Sequence, residues 1–425
     1  MTFKACLAQR RRRVLESLPP ASLALIPAAQ LAQRSADTYF PFRQNSDFYY
    51  LTDFTEPDAL LVLSSGLDAP DEVLFCAPRD PLKERWEGEI LGPERAHEQL
   101  GITTCLPLTE LKQLSEWMAG CTQLYWPAAN HAESKAAPFL ESLQSAPELL
   151  NLDDILHEMR VIKDPYELDR MRQAATITDR AHRRMMRKVQ AGMHEYELEA
   201  EGLYEFSKAG ARSPAYASIV GGGANACVLH YTANQAPLNP TDLVLIDAGC
   251  EWMGYASDIT RTFPVSGRYS PEQKALYEIV LNAQQTVIAA LKPGLPYPQA
   301  QNIAIKTITE GLVHLGILQG SMDHLLETEA WRAFYMHRVG HWLGMDVHDV
   351  GSYEQNGQPR LLEPGMVMTV EPGIYIDPQA DVAPQWQGIG IRIEDDLLIT
   401  EQGAEILGAA PPKSIEDIEH LMASG

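Results

Sequence analysis

Apolar residues follow two rhythms along this chain. In the first third they fall in short runs bounded by Pro, Gly or Asp: ASLALIPAA at 21–29, ALLVLSS at 59–65, EVLFCAP at 72–78 and TQLYWPAA at 122–129. Runs of this length, rich in branched and aromatic residues, read as buried strands. Between them, PERAHEQL and LTELKQLSEWMAG carry helical spacing. Strands alternating with helices predict an α/β domain built on a largely parallel or mixed sheet.

From about residue 158 the pattern changes. Asp164, Pro165 and Glu167 form an N-cap, a first-turn proline and a capping-box acid, and Leu168, Met171, Ala175 and Ile177 then make an apolar stripe. A second helix starts near Glu195, with Leu198, Leu203 and Phe206 inward and Gly210 as its stop. Strand-like segments follow around SIVGGGA, ACVLHY, DLVLIDAG and GYASDITRTF. The order then recurs: a helix capped by Ser270, Pro271 and Gln273, with Leu276, Ile279, Ala283 and Val287 on one face, and a helix ending near Gly316. Strands come again at GMVMTVEPGIYI and GIGIRIEDDLLIT. Two helices followed by strands, twice over, predict an internally duplicated α+β domain. The division expected is residues 1–157 and 158–425, consistent with a length of 425 residues.

Charge narrows the function classes. A net charge of −23 argues against general nucleic-acid or anionic-membrane binding. Six cysteines without a CxxC pair read as reduced thiols, and no apolar run reaches the length of a membrane span, so a cytoplasmic protein is expected. Arg10 to Arg13 read as the solvated face of an N-terminal helix, and Gly221-Gly222-Gly223, lacking the Lys-Ser/Thr of a phosphate loop, as a tight turn. The consecutive acids Asp395 and Asp396 read as a solvated strand edge.

The candidate chemistry lies in the second domain. Asp247, Asp258, Glu371 and Glu394 each sit at the end of, or inside, a strand-like stretch, and His341 lies in MHRVGHWLGMDVHD. A charge in such a place is costly to bury unless a cation receives it. Four carboxylates aimed at one pocket would repel, and a pair of divalent metal ions is their simplest partner. The spacing of Asp247 and Asp258 fits a hairpin, with Gly249 and Gly254 easing the turn. Glu371 ends a strand at Pro372-Gly373, and Glu394 alternates with Arg392 between Ile389, Ile391 and Ile393. An oxygen-rich donor set favours manganese, with cobalt, iron or zinc as substitutes. Taken singly, each residue also has an ordinary structural reading, as a turn acid or a hydrogen-bonded core histidine.

The strings HYT at 230–232, LIDAGCE…GYASDITRTFPV, MHRVGHWLGMDVHDVG, LEPGMVMTVEPGIYI and GIGIRIEDD resemble the motifs of the aminopeptidase P group of pita-bread metallopeptidases, and RSADTYFPFRQNSDFYYLTDF extends the resemblance to the N-terminal domain. The resemblance implies an α/β N-terminal domain for oligomerisation and substrate access, and a catalytic pita-bread domain with pseudo-twofold duplication. It further implies hydrolysis of the N-terminal Xaa-Pro bond of peptides through a hydroxide bridging two divalent metals. Asp247 would bind one ion and His341 the other, with Asp258 and Glu394 bridging and Glu371 acting as ligand and proton shuttle. His230 and His348 would bind substrate and stabilise the oxyanion. His337 and Arg392 would shape the proline side, with Tyr375 nearby, and Asp37 and Trp86 would contribute from the N-terminal domain of a homodimer or homotetramer. The alternatives are a prolidase acting on Xaa-Pro dipeptides, or a non-catalytic pita-bread module that binds peptides or proteins.

Overall fold

Strand formation in the first third follows the apolar runs. The computed structural model describes residues 2–127 and 148–424, so the last two residues of TQLYWPAA lie outside the described residues. The chain divides into two units, Met1–Met159 and Arg160–Gly425. In the first, six strands form one sheet in the order Thr104–Pro107, Glu72–Cys76, Leu60–Ser65, Ser22–Pro27, Gln123–Trp126 and Glu148–Asn151. Leu60–Ser65 pairs antiparallel with both its neighbours and the other three pairings are parallel, so the sheet is mixed. Leu23, Leu25, Val62, Val73 and Phe75 pack with Leu114 and Trp126 into its core.

The N-terminal arginines depart from the expected solvated face. Along the helix Phe3–Ser17, Arg12 and Arg13 face water, but Arg10 and Arg11 are buried. Arg11 donates to the Glu72 carboxylate at 2.6 Å and to the carbonyls of Leu51 and Gly101 at 3.0 Å each. Four consecutive helical residues fan over about 300° of arc and cannot all share one face.

The second unit repeats one plan. Helices Pro165–Lys188 and Glu195–Lys208 precede an antiparallel sheet ordered Ile219–Gly222, Leu243–Ala248, Ile259–Pro264. Helices Pro271–Ala290 and Tyr297–His314 precede a second one ordered Val367–Val370, Asp395–Ile399, Ala404–Ile406, beside the pair Gly373–Tyr375 and Gly390–Arg392. Both predicted capping boxes form, Asp164 with Glu167 and Ser270 with Gln273. Their apolar faces join one core with the inner faces of the strands.

Four local expectations are corrected. ACVLHY is not a strand: Gly223–Cys227 is a 3-10 helix, and the chain after it loops, with Cys227, Leu229 and Tyr231 packing on Ile219, Ala226, Leu245 and Tyr375. The glycine run is not a turn throughout, since Gly221 and Gly222 finish the strand Ile219–Gly222. Gly254, at φ +77° beside Met253 at +49°, does make the tight hairpin turn, but Gly249 lies outside it. A Cβ on Gly249 would sit 1.7 Å from the Ser257 carbonyl oxygen, so its role is to let two strands cross closely. Finally, Asp395 and Asp396 are buried, not solvated. Arg261 and Lys413 reach the Asp395 carboxylate at 2.6 Å each, and the Asp258 amide donates to Asp396.

Behind the Asp247 strand lies His182, whose Nε2 is 3.1 Å from the Ala248 carbonyl. Burial pushes its pKa down from 6.5 to about 4. The unfolded chain takes up this proton first, so His182 adds stability that is full above pH 6.5 and is lost as pH falls toward 4. The amount is on the order of 3 kcal/mol. Urea midpoints measured across this range should therefore fall less steeply for His182→Gln than for the parent. Gly249→Ala should cost about 3 kcal/mol or more in the same assay, because backbone must move, whereas Gly254→Ala should cost about 1 kcal/mol for its left-handed backbone.

Candidate active site

The site begins at the hairpin. Asp247 lies opposite Thr260 across the pair Leu243–Ala248 and Ile259–Pro264, and Asp258 precedes the second strand. Their side chains converge on one hydroxyl: Tyr216 donates to Asp247 Oδ1 at 2.6 Å and to Asp258 Oδ1 at 2.5 Å. Tyr216 lies in a loop with no sequence signal, and only the folded chain reveals it. The other oxygen of Asp247 accepts from Arg392 Nη2 at 2.6 Å.

The second half supplies the facing groups. Glu371 follows the strand Val367–Val370, and its amide donates to the Val339 carbonyl at 2.7 Å. Glu394 sits between Gly390–Arg392 and Asp395–Ile399 and accepts from Thr260 Oγ1 at 2.5 Å. The His341 Nδ1 lies 2.9 Å from the Trp342 carbonyl, to which it donates, so Nε2 is free to face Asp258 at 3.4 Å and Glu371 at 3.5 Å. One ligand atom each from Asp258, His341 and Glu394 lies within 4.8 Å of the others.

The electrostatics call for a cation. Four carboxylates share this pocket with the Arg392 guanidinium and the His341 ring. Burial raises Glu371 to about 7 despite His341 and Arg392, with Asp258 and Asp247 adding to the rise. Burial and the same neighbouring acids push Glu394 well above the usual carboxylate range, and burial raises Asp247. Burial opposes charge on Asp258 too, yet hydrogen bonds from His341 and Tyr216 hold it low. Burial also disfavours the His341 imidazolium, but Asp258 and Glu371 outweigh it and lift the ring to about 9. Burial is the largest cause of each carboxylate rise and the crowded acids add to it, so the protein alone disfavours full ionisation of the set. An oxygen-rich donor set with one imidazole fits divalent metal ions.

These groups floor a cavity of about 560 Å³ that His230, His337, Arg338, Val347, His348 and Tyr353 also line. His230 and His348 are exposed on it, and the rings of His341 and His348 lie 4.3 Å apart, edge to face. His337 Nε2 lies 2.8 Å from the Tyr375 hydroxyl, which accepts from Arg392 Nη1 at 2.9 Å. Arg392 is thus bound to Asp247 and Tyr375 as well as lining the cavity. Asp37 and Trp86 belong to the first unit and stand exposed there, Trp86 at 90% on the helix Pro81–Glu87 and Asp37 between the short strands Gln33–Ser35 and Thr38–Tyr39. Besides Tyr216, the sequence reading missed Thr260, Thr369 and Arg338; of these, Thr369 Oγ1 accepts from the His341 amide at 3.1 Å and donates to Glu371 at 3.3 Å.

Comparison with known proteins agrees with this arrangement. The metallopeptidase family M24 model matches residues 169–401, and the aminopeptidase P N-terminal domain model matches residues 7–125. An Xaa-Pro aminopeptidase of Haemophilus influenzae is 49% identical, over 97% of this chain and 96% of its own. An Xaa-Pro aminopeptidase of Escherichia coli is 46% identical, over 98% of this chain and 97% of its own. The structure of aminopeptidase P from E. coli with the inhibitor Pro-Leu superposes with a TM-score of 0.95 at 45% identity, covering 100% of this chain and 99% of that one. The duplicated α+β unit, its carboxylate-lined cavity and these matches lead to one conclusion: the chain belongs to metallopeptidase family M24 and carries an aminopeptidase P N-terminal domain.

Proposed function

We propose that this metallopeptidase removes the first residue from peptides with proline second, as an Xaa-Pro aminopeptidase. The observation that carries the reading is the convergence of Asp247, Asp258, His341, Glu371 and Glu394 on one cavity in a chain nearly half identical to such enzymes over its length. These five residues would hold two divalent ions, with manganese the best match to four carboxylates and one imidazole. When bound, such ions supply Lewis acidity and an attacking water that is acidic at neutral pH.

The chain's own residues do the rest. Tyr216 and Arg392 orient Asp247 and leave its carboxylate aimed at the cavity. Thr260 does the same for Glu394. Glu371, which burial raises to about 7, is suited to take a proton from water at a carboxylate oxygen and pass it to the departing proline nitrogen. His230 and His348, on the open side, would donate to the oxygen where negative charge develops. His337, Tyr375 and Arg392 form a hydrogen-bonded chain suited to holding the proline ring in place. An Xaa-Pro bond is a tertiary amide with a fixed ring, so positioning the ring is the main requirement of selectivity. We extend the reading to a cytoplasmic homodimer or homotetramer in which the N-terminal domain, with Asp37 and Trp86, governs substrate access.

The metal-stripped protein should be inert toward Xaa-Pro-Xaa peptides and recover on adding manganese, with release of the first residue followed by chromatography. Cleavage confined to Xaa-Pro dipeptides would point to a prolidase, and no cleavage of either peptide with metal bound would refute the proposal. Glu371→Gln should lower kcat by about 10²–10⁴-fold, the usual worth of a proton-transferring group. Tyr216→Phe removes the donor shared by Asp247 and Asp258, and should weaken metal affinity about 10-fold or more in a chelator competition.

A further inference from the structure

Among the described residues, Arg338 and Arg392 line the cavity, and they differ in kind. Arg392 is buried, its donors taken by Asp247, Tyr375 and Thr260. Arg338 is exposed on the cavity wall, one residue beyond His337, and no carboxylate lies within ion-pair distance of it among the described residues. Its guanidinium carbon lies 5.4 Å from the centroid of the Tyr353 ring. That ring is firmly seated: it stacks on Trp342 at 5.2 Å and 7°, lies 4.6 Å from Tyr297, and its hydroxyl accepts from the Trp342 amide at 3.0 Å. A cation over an aromatic face is held in place while its N–H donors stay free.

This position has a chemical consequence. The whole chain carries a charge of −23, so an anionic ligand group meets repulsion on approach. Among the described residues Arg338 is the cation on the wall that no carboxylate neutralises, and its planar fork matches a carboxylate in two parallel hydrogen bonds. A short peptide lying with its amide bond over the acids and its proline against His337 would carry its chain onward past the adjacent residue.

We propose that Arg338 binds the free C-terminal carboxylate of short Xaa-Pro peptides, so that the enzyme selects for chains ending close behind the proline. This rests on the Xaa-Pro reading above and adds the group that reads chain length. Released fragments that begin with proline keep the same carboxylate, and so would bind Arg338 as well.

The test compares free-acid and C-terminally amidated forms of one Xaa-Pro-Xaa tripeptide as substrates of the manganese-loaded protein, its Arg338→Gln variant and its Arg338→Lys variant. The parent should favour the acid about tenfold, expressed in KM with kcat little changed, as a charge-assisted bond at a partly open site provides. Arg338→Gln should lose that preference and Arg338→Lys keep part of it. Calorimetry with Pro-Leu and its amide gives a readout without turnover: the parent should bind the acid about tenfold more tightly, and Arg338→Gln should bind both alike. Equal handling of acid and amide by the parent, or a preference that survives in Arg338→Gln, would overturn the role of Arg338. A parent that cleaves neither tripeptide would count against the Xaa-Pro reading instead, and the Pro-Leu comparison would still decide for or against Arg338.

Discussion

Four carboxylates around one cavity, three buried and Glu371 partly so, are an arrangement that the polypeptide cannot neutralise by itself. Arg392 and His341 offset part of the charge, and Tyr216 shares one proton donor between two acids. Burial, with the neighbouring acids adding to it, raises the proton affinity of Glu371, Glu394 and Asp247. A protein holding such a site must brace it, because like charges at short range push apart whatever carries them. Much of the second unit can be understood as that brace.

Two buried ion clusters lie directly behind the site. Arg261 donates to the carbonyls of Thr260 at 2.8 Å and Glu394 at 2.6 Å, and so ties together the segments that carry Asp258 and Glu394. Asp395 balances its charge at 2.6 Å, and Lys413 reaches the other oxygen of the same carboxylate at 2.6 Å. On the other side, Arg160 and Lys163 reach Asp349 at 2.6 and 2.9 Å, at the end of the loop that runs from His341 to His348. A Cβ on Gly344 would meet the Asp349 carboxylate at 2.1 Å, so that loop closes only around a glycine. Buried ion pairs add little net stability, and removing one partner costs far more than the pair contributes. Their use here is geometric: they fix backbone on which the cavity's acidic and imidazole side chains depend.

Legibility from sequence varied with the range of the interaction. The helices were readable because capping boxes and apolar stripes act within a few residues, as at Asp164–Glu167 and Ser270–Gln273. The strands of the first unit were readable because each apolar run is bounded by chain-breaking residues. The segment ACVLHY misled, since a short apolar run is equally at home in a loop that packs its side chains on a small cluster. Asp395 and Asp396 misled for a related reason: acidity suggests solvent unless the partner is known, and Arg261 and Lys413 lie 134 and 18 residues away.

By itself the sequence determined where most helices and strands lie, that the second part repeats its own order, and that four acids at or in strands, with one histidine, make a set suited to a metal. Those are properties of neighbours along the chain, and motif resemblance attached a family to them. Tertiary structure alone decided that Tyr216 bridges Asp247 and Asp258, that Thr260 and Thr369 steady Glu394 and Glu371, and that Arg392 is spent on Asp247 while Arg338 is not. Apart from Thr369 and Glu371, these contacts join residues from 31 to 145 positions apart. No local pattern encodes them, because a side chain's partner is set by which strands the core brings face to face.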